Sequence, residues 1–343
     1  MLYTELKRNL DLAYRISCEE PVAPVPMLWG PPGTAKTQKI YQWVKERNLQ
    51  LWTLLGSTLA PTDVVCYMPD VIKRKLIACF TERFPDMVEN PDAAGIIFLD
   101  EAPNTHQEVM KPLMKLVNER ELDGLKIPKN VMFVLAGNRV SDRAGANQLL
   151  SSFSNRLDHM DFTVNPEEVA DHFMDKGYDP LVISYFYVAP DQLHDFKPTE
   201  RTWPNPRTWE FLALKMKYAQ DTLSLADMVG VIGEPAAKQF YAYMQTAEEL
   251  HTKKDIIADP LGVELPKKIS HEWQTIAMLS TSVAADEFEP ITRYVQRLPE
   301  NRQVLFIKLL RKRKDIIGTV EKTTVYKKWV TQKHLYDLVV QNA

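Results

Sequence analysis

Cysteine is scarce. Cys18, Cys66 and Cys79 are the only three in 343 residues, they lie far apart, and no CxxC occurs. An odd count without a spacing pattern argues against a disulfide framework and points to a reducing compartment. The amino terminus, Met1-Leu2-Tyr3-Thr4-Glu5-Leu6-Lys7-Arg8, lacks the basic stretch and apolar run of a secretory signal. No stretch approaches about 18 consecutive apolar residues, so no transmembrane helix is expected. These absences predict a soluble, cytoplasmic protein without a membrane partner. His106, His159, His172, His194, His251, His271 and His334 form no HxxxH and no His/Cys pair at metal spacing, so no zinc site is expected. No GxSxG elbow, internal repeat or low-complexity tract occurs. An excess of one charge sign is missing too: 42 Lys and Arg face 45 Asp and Glu, a net of −3. The whole-protein balance therefore gives no electrostatic case for nucleic acid or an anionic membrane.

What is present is ordinary globular material, 45% hydrophobic and 25% charged, in a length that suits two domains. The charge is unevenly spread. Residues 301–343 hold ten Lys and Arg against three Asp and Glu, so the rest of the chain is acidic. Short apolar runs punctuate the first half: Val25–Trp29, Gly95–Leu99 and Val131–Ala136 are continuous, and Leu49–Leu55 is a strand candidate rich in Leu and Trp. Runs without alternation suit parallel strands covered on both faces by crossover helices. A helix is expected near Thr37–Arg47, and another after Thr105-His106-Gln107-Glu108, which has capping-box spacing. Pro112 falls early enough in that helix to be tolerated. Beyond the Pro- and Trp-rich stretch Thr199–Arg207 the patterns are helical: Thr208–Gln220, Ser224–Ile232, Ala236–His251, Trp273–Ala285, Ile291–Leu298 and Val304–Arg313. The expected fold class is α/β, a parallel-sheet αβα domain over 1–198, followed by a helical domain over 199–300 and a basic helical extension over 301–343.

Three segments carry chemistry. Gly30-Pro31-Pro32-Gly33-Thr34-Ala35-Lys36-Thr37 lies between a strand and a helix, where backbone N–H groups and a helix N-terminus suit a phosphate. Lys36 would reach the β- and γ-phosphates of ATP, and the Thr37 hydroxyl would bind Mg²⁺. The pattern GxxxxGK[ST] is not met, because Ala35 replaces the second Gly. In Gly95-Ile96-Ile97-Phe98-Leu99-Asp100-Glu101, two carboxylates leave the carboxyl end of a buried strand, where ligands bind in open α/β sheets. Asp100 suits Mg²⁺ and Glu101 suits polarising a water. Asn138, after Val131–Ala136 and Gly137, could orient that water from the same edge; taken alone, a turn Asn following Gly is the plainer reading.

Together these segments resemble Walker A, Walker B and sensor 1 of the AAA+ ATPases. Ala35 is similar to the form common in the MoxR branch, as are Pro61-Thr62-Asp63-Val64-Val65, Phe153-Ser154-Asn155-Arg156-Leu157 and Trp203-Pro204-Asn205-Pro206-Arg207-Thr208-Trp209, with Asn205 in the usual Ser place. The resemblance covers about 25–260. It implies an αβα nucleotide domain with a helical lid, ATP and Mg²⁺ as ligands, and a homo-hexameric ring with ATP at subunit interfaces. It implies Arg156 as a finger reaching a neighbour's γ-phosphate and Arg207 as the lid contact to the γ-phosphate; Arg139 and Arg143 are rival fingers. The plainer readings are Arg156 as a helix C-terminal charge complementing the dipole, and Arg207 in N-cap contacts of a lid helix or paired with Glu210. It also implies a protein client, a von Willebrand factor A domain protein being the frequent partner. Tyr67 or Met68 would grip that partner at a pore, and Lys73–Lys75 would line a channel; a solvated hairpin is the plainer reading. A nucleic-acid-associated ATPase is the alternative, resting on Lys308, Arg311, Lys312, Arg313 and Lys314. For these, a solvated helix face or a contact with acidic surface is the plainer reading.

Overall fold

A computed structural model describes residues 1–20, 22–72, 74–81, 83–85, 90–142, 149–197, 199–219, 222–246 and 250–331. The contacts divide the chain into two units, Met1–Val164 and Asn165–Ala343. In the first, the order is α1 (Tyr3–Glu19), β1 (Val25–Trp29), α2 (Lys36–Glu46), β2 (Gln50–Leu55), α3 (Pro61–Val64), β3 (Val65–Asp70), β4 (Lys75–Phe80), β5 (Ala94–Asp100), α4 (Gln107–Glu119), β6 (Glu121–Leu122), β7 (Leu125–Lys126), β8 (Asn130–Gly137), α5 (Ser151–Ser154) and β9 (Leu157–Asp161).

Five of these strands form one sheet in the order β2-β5-β8-β1-β9, and every pairing in it is parallel. Apolar side chains alternate between its two faces. Leu28, Ile96, Phe98 and Val134 pack with Leu6, Ile40 and Trp43 from α1 and α2. Met27, Ile97, Leu99 and Phe133 pack with Val109, Leu113 and Leu116 from α4. Covered faces explain the unbroken apolar runs, since neither side of a strand meets water. Each such side chain contributes roughly 1.5–3 kcal/mol before chain entropy is counted. The register sets Leu28 beside Ala136, Leu99 beside Leu135 and Leu55 beside Asp100. The carboxyl ends of β1, β5 and β8 are thus level, and the loops that follow them share one edge. β3 with β4, and β6 with β7, form two separate antiparallel hairpins.

One helix start differs from the sequence pattern. α4 begins at Gln107 with His106 as its N-cap, and Thr105 does not cap it. Thr105 closes a short turn over Ala102–Asn104 and is buried beneath the end of β2, so its hydroxyl faces the sheet rather than the helix amides. Pro112 is accommodated inside α4.

The second unit is helical throughout its described residues: α6 (Pro166–Asp175), α7 (Pro180–Val188), α8 (Pro206–Ala219), α9 (Leu225–Ile232), α10 (Glu234–Gln245), α11 (Lys253–Ala258), α12 (Ile269–Ser282), α13 (Phe288–Val295), α14 (Glu300–Lys312), α15 (Ile317–Val320) and α16 (Thr324–Val330). The units part at Val164, ahead of the boundary expected at 198, because α6 and α7 pack with each other and α7 lies against α12. Phe173, Phe186, Trp209 and Phe240 form an edge-to-face aromatic core in this unit.

The basic segment is no separate extension over its described part. α14 buries Leu305, Phe306, Ile307, Leu309 and Leu310 and packs on α12. Four cations of the segment are engaged within the unit. Lys308 pairs with Asp171 at 3.1 Å, Lys312 with Asp175, and Arg302 with Glu272 at 2.8 Å. Arg313 pairs with Asp315 at 2.5 Å and donates to the carbonyls of Ser280 and Thr281. Residues 332–343, with His334, lie outside the described residues. No helix among the described residues is long and apolar enough to cross a membrane.

Candidate functional site

The loop after β1 is built around Lys36. Its ammonium is buried and donates to the carbonyls of Gly30 at 2.6 Å and Pro31 at 3.0 Å, and to Asn138 Oδ1 at 3.0 Å. Gly30 N–H donates to the Gly137 carbonyl, fastening the loop to the end of β8. The Thr34 hydroxyl donates to the Pro31 carbonyl at 2.9 Å. Gly33 has φ 79° and Ala35 φ 65°. Ala35 is therefore not in the first helical turn, where an alanine would be neutral. It is the N-cap of α2 in the left-handed region, where a Cβ costs roughly 1–2 kcal/mol. Ala35→Gly should raise stability by about 1 kcal/mol, part of the relief being offset by the freer unfolded chain. A urea midpoint that rises at unchanged slope would show it.

Across the edge, Asp100 ends β5. Its Oδ2 accepts the Thr37 hydroxyl at 2.5 Å, and its Oδ1 accepts the Glu101 N–H at 2.9 Å. The pairing of Thr37 with Asp100 joins two hard oxygen donors beside the phosphate loop, a set that fits Mg²⁺. Glu101 is half-buried with φ 52° and ψ 36°. A left-handed Glu is a strained residue, and such strain persists where the surroundings hold it. Gly56, just past β2, lets the backbone approach this turn closely. A methyl group there would lie 2.7 Å from the Glu101 carbonyl and would also meet the Thr105 hydroxyl. Gly56→Ala should cost about 1–3 kcal/mol in stability and displace Glu101. A melt combined with a nucleotide titration checks this: lowered stability with nucleotide binding kept is the expected pair.

The structure gathers the sequence-expected residues Gly30–Thr37, Asp100, Glu101 and Asn138 at one edge. Gly56 was not among them. The only sequence signal was a lone glycine after an apolar run, which is too common to single out.

Arg156 does not join this cluster. It precedes β9, whose direction parallels β1, so it sits at the amino edge of the sheet. The length of a five-residue strand, ~16 Å, separates that edge from the loop. There it lines a cavity of about 390 Å³ with Glu20, Val25, Arg120 and Leu157. Arg120 is committed: it donates to the carbonyls of Pro128, Lys129 and Val131, and burial lowers its pKa. Arg156 is exposed and has no ion pair among the described residues. Arg139 is at the carboxyl edge and engaged with Asp161 at 2.6 Å and with Asp142. Arg143 and Lys73 lie outside the described residues.

Arg207 begins α8 in the second unit and is exposed. Asn205 caps that helix, its Oδ1 accepting the N–H groups of Arg207 at 3.0 Å and Thr208 at 3.2 Å. An Asn serves there as a Ser would. Glu210, a turn further along α8, accepts from the Tyr178 hydroxyl at 2.9 Å rather than pairing with Arg207. Tyr67 and Met68 are exposed on β3, and the hairpin tip is more exposed still, Val71 at 84% and Ile72 at 94%. Among the described residues no group of three or more His, Cys, Asp and Glu is placed to hold a metal.

A phosphate loop, a carboxylate pair and a polar amide at the level ends of β1, β5 and β8 define a P-loop α/β nucleotide domain. Residues 26–160 match the model of the ATPase family associated with various cellular activities (AAA), and this span carries that family's domain. No curated protein matches the chain. Among solved structures, the Thermotoga maritima RuvB Holliday junction branch migration motor is 16% identical with a TM-score of 0.37, over 86% of this chain and 87% of that one. Brucella abortus NtrX in complex with ADP is 15% identical with a TM-score of 0.41, over 91% and 68%. Hsp104 with ATPγS and casein is 12% identical with a TM-score of 0.38, over 72% of this chain and 45% of that one.

Proposed function

We propose that this chain is a MoxR-like AAA+ ATPase that hydrolyses ATP in a ring, a homo-hexamer by resemblance, and uses the energy to remodel a protein partner. The observation that carries the hydrolytic reading is the convergence of Lys36, Thr37, Asp100, Glu101 and Asn138 at one sheet edge. In this mechanism Lys36 gives up its carbonyl and amide partners and donates to the β- and γ-phosphates. Thr37 and Asp100 would hold Mg²⁺, which would neutralise phosphate charge. Glu101 accepts a proton from the attacking water, and Asn138 orients that water. Arg156 supplies positive charge to a neighbour's γ-phosphate, because its own loop is at the far edge of the sheet. Arg207, uncommitted in the first turn of α8, keeps the γ-phosphate role that the resemblance implies.

Two features support a protein client over nucleic acid. The hairpin of β3 and β4 exposes Tyr67, Met68, Val71, Ile72 and Leu76, an apolar surface of the kind that meets protein. Lys308, Lys312 and Arg313 are already matched by carboxylates, so less of the basic segment is left for phosphates. A von Willebrand factor A domain protein remains the partner the resemblance favours. The test is phosphate release from ATP with Mg²⁺ as chain concentration rises. Turnover per chain should climb as rings assemble; a preparation that binds no ATP and releases no phosphate at any concentration would sink the reading. Binding to duplex and single-stranded DNA at two salt concentrations separates the alternative, since none is expected even at low salt.

A further inference from the structure

Cys66 and Cys79 are separated by twelve residues in the sequence, yet they are directly opposed in the antiparallel register of β3 and β4. Opposed residues present their side chains on one face, with Cα atoms about 4.5–5.5 Å apart. A disulfide needs a Cα separation of about 4.4–6.8 Å, so the register alone brings the pair within bonding range. Both thiols are free and half-buried. The Cys66 thiol already leans across the strand gap, donating to the Cys79 carbonyl at 3.6 Å, and the Cys79 thiol donates to the Ile77 carbonyl at 3.8 Å. Cys18 is on α1 and faces neither of them in that register.

The hairpin is also where a cross-link would matter. It is a two-stranded sheet with no third strand among the described residues. Such ribbons are marginal by themselves. Val71 and Ile72 at its tip are exposed, Tyr67 is tied to Asp123 in the turn between β6 and β7, and Val65 and Phe80 at its base pack against the core of the first unit.

We propose that Cys66 and Cys79 are a dithiol modification site that a low-molecular-weight disulfide, of the glutathione type, closes into a cross-strand disulfide. The exchange balances. One cysteine sulfur, losing its proton, attacks a sulfur of glutathione disulfide; that S–S bond breaks, and one glutathione leaves and takes up a proton. The opposed cysteine sulfur, losing its own proton, attacks the mixed disulfide and expels the second glutathione, which is protonated in turn. Two cysteine thiols are oxidised and one glutathione disulfide is reduced to two glutathiones. The product locks the register of the hairpin at its base and leaves its apolar tip displayed. The site lies outside the nucleotide cluster and stands whether or not the chain hydrolyses ATP.

The test uses the full chain incubated with glutathione disulfide, quenched by alkylation and weighed intact. The expected product has lost two hydrogens, carries one alkyl group, on Cys18, and yields a proteolytic peptide pair joining Cys66 to Cys79. Amide exchange over 65–80 should slow about tenfold or more in that product. Cys18→Ser should keep the cross-link, and Cys66→Ser should replace it with a stable glutathione adduct on Cys79. Three alkylated thiols, persistent glutathione adducts on both Cys66 and Cys79 of the natural chain, or a disulfide between two chains would each overturn the proposal.

Discussion

Glu101→Gln should lower ATP turnover roughly 100- to 10,000-fold while ATP stays bound, the range expected on removing a general base. In barrier height this is about 2.7–5.5 kcal/mol. The substitution isolates the proton-accepting function. Gln keeps the length of Glu and meets the same left-handed backbone at φ 52°, so the strain and the contact with Gly56 are unchanged. The groups that would bind nucleotide and metal, Lys36, Thr37 and Asp100, are also untouched, and the Thr37–Asp100 hydrogen bond does not involve Glu101. Phosphate release and the affinity of a fluorescent ATP analogue, measured on one preparation, separate the two effects. Turnover within twofold of the natural chain would remove Glu101 from the base role. Simultaneous loss of binding would instead mean that its carboxylate helps to organise the loop. Because the variant keeps ATP and stalls, it also suits capture of a client on immobilised chain.

The strands were legible because burial on both faces leaves a plain trace. Ile96–Leu99 and Val131–Ala136 have no polar residue to solvate, so only a covered parallel sheet suits them. Strand order was not legible. Nothing in residues 130–137 says that β8 lies between β1 and β5, yet that placement puts Asn138 within 3.0 Å of Lys36. Backbone sign was hidden as well. An alanine in a helix-opening pattern reads as helical, and only the structure shows Ala35 in the strained left-handed region. Thr105 matched capping-box spacing, but a spacing rule does not know that the residue is buried under the end of β2. The unit boundary moved for a related reason. α7 buries Val182, Ile183, Ser184, Tyr185 and Phe186, so it lacks the one-sided stripe that marks a surface helix. The cysteine pair shows the same limit: hairpin register converts a gap of twelve residues into direct opposition.

Arg156→Ala should lower turnover roughly 1,000- to 100,000-fold, the span associated with a finger supplied in trans. The loss should be transferable between chains, and this distinguishes a finger from a structural arginine. Arg156 stands at the amino edge of the sheet and the phosphate loop at the carboxyl edge, so one chain cannot bring the two together without unfolding β1 and β9. Two dead variants should therefore rescue each other. An Arg156→Ala chain keeps Glu101 and needs a neighbour's arginine; a Glu101→Gln chain keeps Arg156 and needs no base to donate it. In an equal, randomly assembled ring about a quarter of the interfaces join the intact halves, so the mixture should regain up to about a quarter of natural turnover. If Arg156 instead served its own subunit or complemented the short helix α5 before it, no mixture could recover activity. A helix-dipole role would also appear as a lowered melting temperature, worth about 0.3–1 kcal/mol at an exposed site. An unchanged melt, dead single variants and an active mixture together require that the arginine act across an interface.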